Sequence, residues 1–267
     1  MGRLEGKSAI VIGAGNHGNM AQVIARRFAD EGAQIVVAGR KMEELERFAA
    51  EIGGHAIHCD ITDRASVFAL AQAAKAKMGS ISIAVNSTGW GFLKPFLDNT
   101  DEELDQMMAL QFKGPFLFCQ AMIEAMSPEN GGAGGSIIQI SSATAKIMLE
   151  NHAAYMGTKA GIDHVIRCVA NEFGVRGIRA NSISPGLTDT PMNADAKQVP
   201  GLFDSFVSGY PLGRIGTSED VAAAAVFLAS DECFMTGENL QVNGGLTLRK
   251  NPSAAEMEAA IAQAMAG

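Results

Sequence analysis

Cysteine, long apolar runs and clustered charge are all scarce in these 267 residues, and each shortage excludes something. The four cysteines, Cys59, Cys119, Cys168 and Cys233, lie far apart, each beside apolar residues. That spacing suits buried free thiols in a reducing compartment and gives no disulfide frame. The longest uninterrupted apolar run, Val221 to Ala229, is far shorter than the roughly 18 residues a membrane helix needs. The N-terminus lacks a signal-peptide profile, and Gly6 stands where a myristoylation signal needs Ser or Thr. A cytoplasmic protein with no membrane partner is expected. The net charge of -8 comes without long acidic or basic runs, which argues against nucleic-acid and anionic-lipid partners and leaves small molecules. His55-x-x-His58-Cys59 invites a metal reading, but strand alternation sends the two histidines to opposite faces, so no metal site is expected.

What is present is alternation. Short Ile- and Val-rich runs recur between longer segments of helical period, the pattern of βαβ units and a parallel sheet. Strands are expected at Ser8–Ile12, Gln34–Ala38, His55–Cys59, Ile81–Val85, Ser136–Ser141, Arg179–Ser184 and Asn239–Val242. Helices are expected at Gly18–Glu31, Lys41–Glu51, Asp63–Met78, Asp101–Met126, His152–Phe173 and Ser218–Ala229. Thr62 and Thr100 precede acidic first turns, and Thr217-x-x-Asp220 reads as a capping box. With no internal repeat and no linker, one α/β domain over 1–250 is the economical reading: a doubly wound, seven-stranded parallel sheet with helices on both faces. The irregular stretch 186–214, scattered with Pro, Gly and apolar side chains, has the composition of a substrate lid. A surface connection is its plainer reading. The tail, 251–267, repeats Met257, Ile261 and Met265 at helical spacing and reads as a helical extension, packed on the domain or covering a substrate pocket.

Directly after the first strand, Gly13-Ala-Gly15-Asn16-His17-Gly18 opens into a helix. In that context a Gly-rich turn lets the backbone approach a pyrophosphate, which the unpaired amides at the helix start then stabilise. Asp60 ends the third strand, where it can accept from an adenine amino group, and Asn86-Ser87-Thr88-Gly89 follows the fourth. Together these give a Rossmann fold with a dinucleotide crevice. At the end of the second strand, where a carboxylate would hold the ribose hydroxyls of NAD, the chain has Gly39-Arg40-Lys41. An arginine pairs with a 2'-phosphate that a carboxylate repels, so NADP(H) is expected in preference to NAD(H).

One of the two tyrosines, Tyr155, has Lys159 four residues on along a helix, so the two side chains share a face. Ser142 stands at the end of the fifth strand. A phenol is a poor acid or base at neutral pH, but a neighbouring ammonium favours phenolate, and a serine hydroxyl can donate to a substrate oxygen as charge develops there. From about Leu4 to Leu248 the chain resembles the short-chain dehydrogenase/reductase family. The resemblance rests on the Gly-rich turn, Asp60, Asn86-Ser-Thr-Gly89, Ser142, Tyr155-Met-Gly-Thr-Lys159, Pro185-Gly186 and Val242-Asn-Gly-Gly245. It implies hydride transfer between a nicotinamide cofactor and a ketone or secondary alcohol. Ser142, Tyr155 and Lys159 would be the catalytic triad, with Tyr155 as general acid and base. Asn16, His17, Asn19, Met20, Ile61, Pro185, Gly186, Leu187 and Thr188 would join the cofactor site together with Tyr155 and Lys159, the lysine holding the nicotinamide ribose, the segment after Pro185-Gly186 would close over the nicotinamide, and a homotetramer would form through the two long helices.

Departures from the family pattern keep alternatives open. Gly13 to Ala21 has the spacing of the enoyl-acyl-carrier reductase branch, with Asn19 where that branch usually has Ser, so reduction of a C=C bond is a rival. That branch usually separates its Tyr and Lys by six residues, whereas three intervene here. Gln111 stands where the family usually has an Asn that supports a water chain from the lysine; either it serves the same relay with a longer arm or the relay differs here. The substrate pocket is expected from Trp90, Phe92, Thr144, Met148, Leu149, His152, Leu187, Met192 and Phe206, which suit a small, hydrophobic, uncharged ketone or alcohol. A dinucleotide-sensing binding protein without turnover is the reading from another class; it would be expected to lose Tyr or Lys, and both are present.

Overall fold

Alternate residues of one strand serve two different cores. Ala9 and Val11 pack on one side of the sheet, Ile10 and Ile12 on the other, and Ile35 and Val37 part from Val36 and Ala38 in the same way. A strand covered on both faces has to be apolar throughout, which is why these runs read as continuous rather than alternating. A computed structural model describes residues 2–266, with the side chain of Met192 outside the description. Its elements in chain order are β1 (Ser8–Ile12), α1 (Met20–Asp30), β2 (Gln34–Gly39), α2 (Met42–Glu51), β3 (His55–His58), α3 (Arg64–Met78), β4 (Ile83–Asn86), α4 (Asp101–Met108), α5 (Gly114–Met126), β5 (Gly135–Ile140), α6 (Ala153–Phe173), β6 (Ile178–Pro185), β7 (Thr188–Asp189), α7 (Ala194–Lys197), α8 (Leu202–Val207), β8 (Gly216–Thr217), α9 (Ser218–Ala229), β9 (Asn239–Val242) and α10 (Ala254–Ala266).

Seven strands form one parallel sheet in the order β3-β2-β1-β4-β5-β6-β9. Helices α1, α2 and α9 cover one face, and α3, α5 and α6 the other. Strand order reverses between β1 and β4, whose ends meet in register at Ile12 and Asn86, and ligands of open α/β sheets bind outside such a switch point. The seven expected strands and the doubly wound architecture are those observed, with ends displaced by one or two residues.

Several expectations need correction. Asp101–Met126 is not one helix: α4 and α5 are joined by a π-helical segment, Ala109–Lys113, closed by a bond from the Gly114 amide to the Ala109 carbonyl. Pro115 at the start of α5 has no amide to give to the turn before it, so the ladder widens there. Helix α3 is capped by Asp63, not Thr62, whose hydroxyl and amide turn back to Asp60. Cys168 is exposed, whereas Cys59, Cys119 and Cys233 are buried.

Segment 190–215 leaves and returns through a two-stranded parallel sheet, β7 with β8, pairing Thr188 with Gly216 and Asp189 with Thr217. That clamp fixes both roots of the excursion, which carries α7 and α8. Helix α10 lies against α8. Gly201, at φ +75, starts α8, and a Cβ there would sit 2.4 Å from the Ala260 carbonyl oxygen, so only glycine permits the approach.

Candidate active site

The turn after β1 is braced from within. Gly13, at φ +104, passes so close to the end of β4 that a Cβ would sit 2.8 Å from the Ser87 carbonyl carbon. Asn19 caps α1 by accepting from the Gln22 amide at 3.1 Å and donates to the Gly13 carbonyl at 2.7 Å. Buried Gln22 donates to the Ala14 carbonyl and to Glu44, and accepts from the Gly18 amide. Neither Gln22 nor Glu44 stood out in the sequence, because only contacts across the turn reveal them. Asn86 is fully engaged in the same scaffold: it donates to Gln139 and accepts from the Thr88 amide and hydroxyl.

A cleft of about 510 Å³ opens at the switch point. One end is formed by Asn16, His17, Asn19 and Met20 at the start of α1, and the floor by Ser87, Thr88, Gly89 and Trp90 after β4. Ser142, Tyr155 and Lys159 make the far wall, and Pro185, Gly186 and Thr188 the side that leads into segment 190–215. These expected residues come together from five separate stretches of chain. Ala21, Ile140, Ser141, Thr190, Pro191 and Asn193 also line it and were not foreseen. Gly13, Gly15 and Gly18 shape the turn rather than line the cleft, and Ile61 is buried beside β3.

At the outer corner, Arg40 is exposed and Lys41 donates to Asn16 at 2.6 Å. Arg47 lies 2.8 Å from His17 Nδ1 and bonds Glu44, whose carboxyl it holds at about 2. Asp60 accepts twice from Thr62, which holds its carboxyl below the usual carboxylate range.

On the chemistry-bearing wall Lys159 is buried and Ser142 and Tyr155 are half-buried. Lys159 is 3% exposed and donates to the Ile140 carbonyl at 3.0 Å, with Nζ 5.4 Å from the centre of the Tyr155 ring. Burial pushes the Lys159 ammonium down to about 8, opposed by the charge of Asp163. Burial also pushes the Tyr155 phenol up to about 12, opposed by a hydrogen bond with Ser142. Ser142 and Thr144 hydroxyls lie 2.8 Å apart. Gln111, buried on the π segment, donates to the sulfur of Met107, and its Oε1 has no partner among the described residues. A Cβ placed on Gly89 would lie 3.3 Å from that oxygen and 3.7 Å from Lys159 Nζ, so the two groups face the same spot.

The expected substrate residues divide. His152 stacks on Tyr155 with ring centres 4.4 Å apart and bonds the Phe92 carbonyl through Nδ1 at 2.8 Å; burial lowers its pKa. Trp90 and Phe92 rings are 5.0 Å apart. Leu187 and Phe206 instead join a small apolar cluster with Ala143, Tyr210 and Leu246. Met148 is 70% exposed and Leu149 half-buried, away from the cleft lining, while the Met192 side chain lies outside the described residues. Among the described residues no group of three or more His, Cys, Asp or Glu is placed to hold a metal, and no helix is long and apolar enough to cross a membrane.

A tight glycine turn, a helix start lining a long cleft and a half-buried Tyr155 beside buried Lys159 at its far end define a dinucleotide-dependent oxidoreductase on a Rossmann frame. Residues 13–247 match the family model described as enoyl-(acyl carrier protein) reductase. The chain is 37% identical to a D-threitol dehydrogenase of Mycolicibacterium smegmatis, over 92% of its own length and 95% of the relative's. It is 34% identical to a galactitol 2-dehydrogenase (L-tagatose-forming) of Cereibacter sphaeroides, over 92% and 97%. A solved short-chain type dehydrogenase/reductase from Mycobacterium ulcerans superposes with a TM-score of 0.89 at 27% identity, covering 97% of this chain and 98% of that one. The chain belongs to the short-chain dehydrogenase/reductase family and is an NAD(P)-dependent oxidoreductase acting on alcohol and carbonyl groups.

Proposed function

We propose that the protein is an NADP(H)-preferring dehydrogenase or reductase for a small, uncharged secondary alcohol or ketone, with Tyr155 as proton donor and acceptor. The observation that carries this reading is the convergence of Ser142, Tyr155 and Lys159 on one wall, at the opposite end of the cleft from the α1 start. The residues fit a dinucleotide: Gly13 admits nothing larger than glycine, and the α1 start lines the other end of the cleft. Bound there, the cofactor supplies or takes the hydride.

The chain's own residues do the rest. Ser142 donates to the substrate oxygen and fixes its distance from Tyr155. In reduction the Tyr155 hydroxyl gives its proton to that oxygen, and the phenolate left behind is stabilised by the Lys159 ammonium. In oxidation the proton moves the other way. Gln111 Oε1, facing the same spot as Lys159, accepts from a water that carries the proton onward. The lid 190–215, clamped at β7 and β8, excludes water from above.

Relatives named for threitol and galactitol favour a hydroxyl-bearing substrate over the more apolar one that composition suggested, and Thr144, His152 and Asn193 offer polar contacts near the reacting wall. The enoyl alternative is weakened by the same relatives and by the three-residue interval between Tyr155 and Lys159. Assembly as a homotetramer through the outward faces of α5 and α6 belongs to this reading; a monomer by light scattering overturns that part.

The test is a fluorescence titration with NADPH and NADH, followed by turnover on a panel of polyols and ketones. Tyr155→Phe is expected to lower turnover by about a hundredfold to ten-thousandfold while leaving cofactor affinity intact. Undiminished turnover in that variant sinks the assignment.

A further inference from the structure

Beneath the catalytic wall lies a buried polar lane that the reaction as described leaves unused. On the α6 side of the sheet, the early halves of β5 and β6 are apolar, with Ile137, Ile178 and Ala180 in the core. The same face turns polar toward the strand ends. Gln139, Ser182 and Asn239 lie side by side in register, followed by Ser184 beside Gln241. Asp163, on α6 one turn past Lys159, caps this lane and accepts from Asn239 Nδ2 at 2.5 Å. Gln241 donates to Asn239 at 2.7 Å and Asn243 to Gln241 at 3.1 Å, so a chain of amides runs along β9 to the carboxylate. Burial raises the pKa of the Asp163 carboxyl, and the hydroxyls of Ser182 and Ser141, which face it, oppose that shift, although neither completes a close hydrogen bond.

A carboxylate in such a place is costly unless charge and donors surround it. The polar faces of β6 and β9 supply the donors. Only Lys159, among the described residues, supplies charge, and Asp163 is in turn the only charge acting on Lys159. From the other packed elements come uncharged groups: Ser141 after β5, Ser182 on β6, Asn239 on β9, Gln111 on the π segment and the neutral phenol of Tyr155. The pair is therefore isolated, and each member depends on the other.

We propose that Asp163 is a positioning residue of the reaction: its carboxylate holds the positive charge on Lys159, and the donors along β6 and β9 hold the negative charge on Asp163. The effect passes through Lys159, since Asp163 touches neither substrate nor cofactor. Without the carboxylate, the buried lysine loses its proton at a lower pH, and Tyr155 loses the cation that stabilises its phenolate. The proposal rests on the assignment of Tyr155 and Lys159 above, but the charge coupling itself is measurable without turnover.

The experiment is carbon-13 NMR of the full-length protein labelled at lysine, following the Lys159 ε-carbon, assigned by its loss in Lys159→Met. In Asp163→Asn, which keeps the shape and an oxygen to accept from Asn239, the Lys159 midpoint is expected to fall by about one pH unit. Asp163→Glu is expected to restore it in part, and in both variants the affinity for NADPH should be unchanged. A merely structural Asp163 would lower the melting temperature and leave the midpoint where it was, and that result overturns the proposal. Should Asp163→Asn fail to fold, Asp163→Ser removes the same charge with a smaller group and is held to the same outcome. Because the midpoint needs no substrate, its failure is separate from failure of the catalytic assignment, which Tyr155→Phe decides.

Discussion

Arg40 and Lys41 stand where β2 ends, at the outer corner of the cleft, with no carboxylate in the position that would hold ribose hydroxyls. Lys41 is tied to Asn16 of the glycine turn and Arg47 to His17, Glu44 and Glu51, while the charge of Arg40 acts on Asp60. Arg40, exposed and without a hydrogen-bond or ion-pair partner among the described residues, is the one free to pair with a 2'-phosphate in the planar, two-pronged way that guanidinium allows. Arg40→Asp is expected to weaken NADPH binding by at least about tenfold, since a charge-assisted pair becomes a repulsion, and to leave NADH binding equal or stronger. A fluorescence titration of both cofactors checks it; an unchanged preference would mean that Arg40 only faces solvent. The place of such residues was legible in the sequence because it follows from where a strand ends. Gln22, Asn193 and Asp163 were not, because each matters through a partner on another element: Ala14 and Glu44, the lid root at Thr188, and β9.

Elements were legible where period and capping agreed. Helix α9 begins as the Thr217-x-x-Asp220 signature requires: Thr217 accepts from the Asp220 amide at 3.3 Å, and Asp220 accepts from the Thr217 amide at 2.9 Å. Arg214 adds two bonds to the same carboxylate, at 2.7 and 2.8 Å, and holds it at about 2. The cap therefore also fixes the end of the lid segment and the short strand β8. Thr217→Ala removes one of these partners and is expected to cost about 1 kcal/mol, read as a shift in the urea midpoint. The missed elements have different causes. The π segment inside Asp101–Met126 carries no break in apolar period, so only Pro115 signals it, and the two-residue strands β7 and β8 are too short to alternate. Phe206 and Leu187 were expected at the substrate because they are near it in sequence, yet Phe206 from α8 and Leu187 from the link between β6 and β7 pack into a cluster with Tyr210 and Leu246.

At the scale of the whole molecule, the tail connects parts that sequence distance keeps separate. Its Met257 and Ile261 are half-buried while Met265 is 74% exposed, so the apolar stripe packs at its start and not its end. Helix α10 presses on Gly201 of the lid, and the strand-to-helix link before it is pinned on both sides: Asn251 donates to the Met148 carbonyl at 3.0 Å, the Ala254 amide donates to Glu150, and Arg249 donates to the Ser208 carbonyl. One end of this strap holds the loop after β5 that leads to His152 and Tyr155; the other holds α8. Among the described residues no hydrogen bond or ion pair joins the strap to the α1 end of the cleft, so its loss should separate substrate handling from cofactor binding. Removal of residues 253–267 is expected to raise KM for the alcohol several-fold and to speed proteolysis within 190–215, with the affinity for NADPH unchanged. Gly201→Val, which forces α8 off the Ala260 carbonyl while keeping the tail, should move the same two readouts in the same direction by less. If both variants keep the KM and the protease resistance of the unchanged protein, the tail is packing alone and the lid is held by β7 and β8 without it.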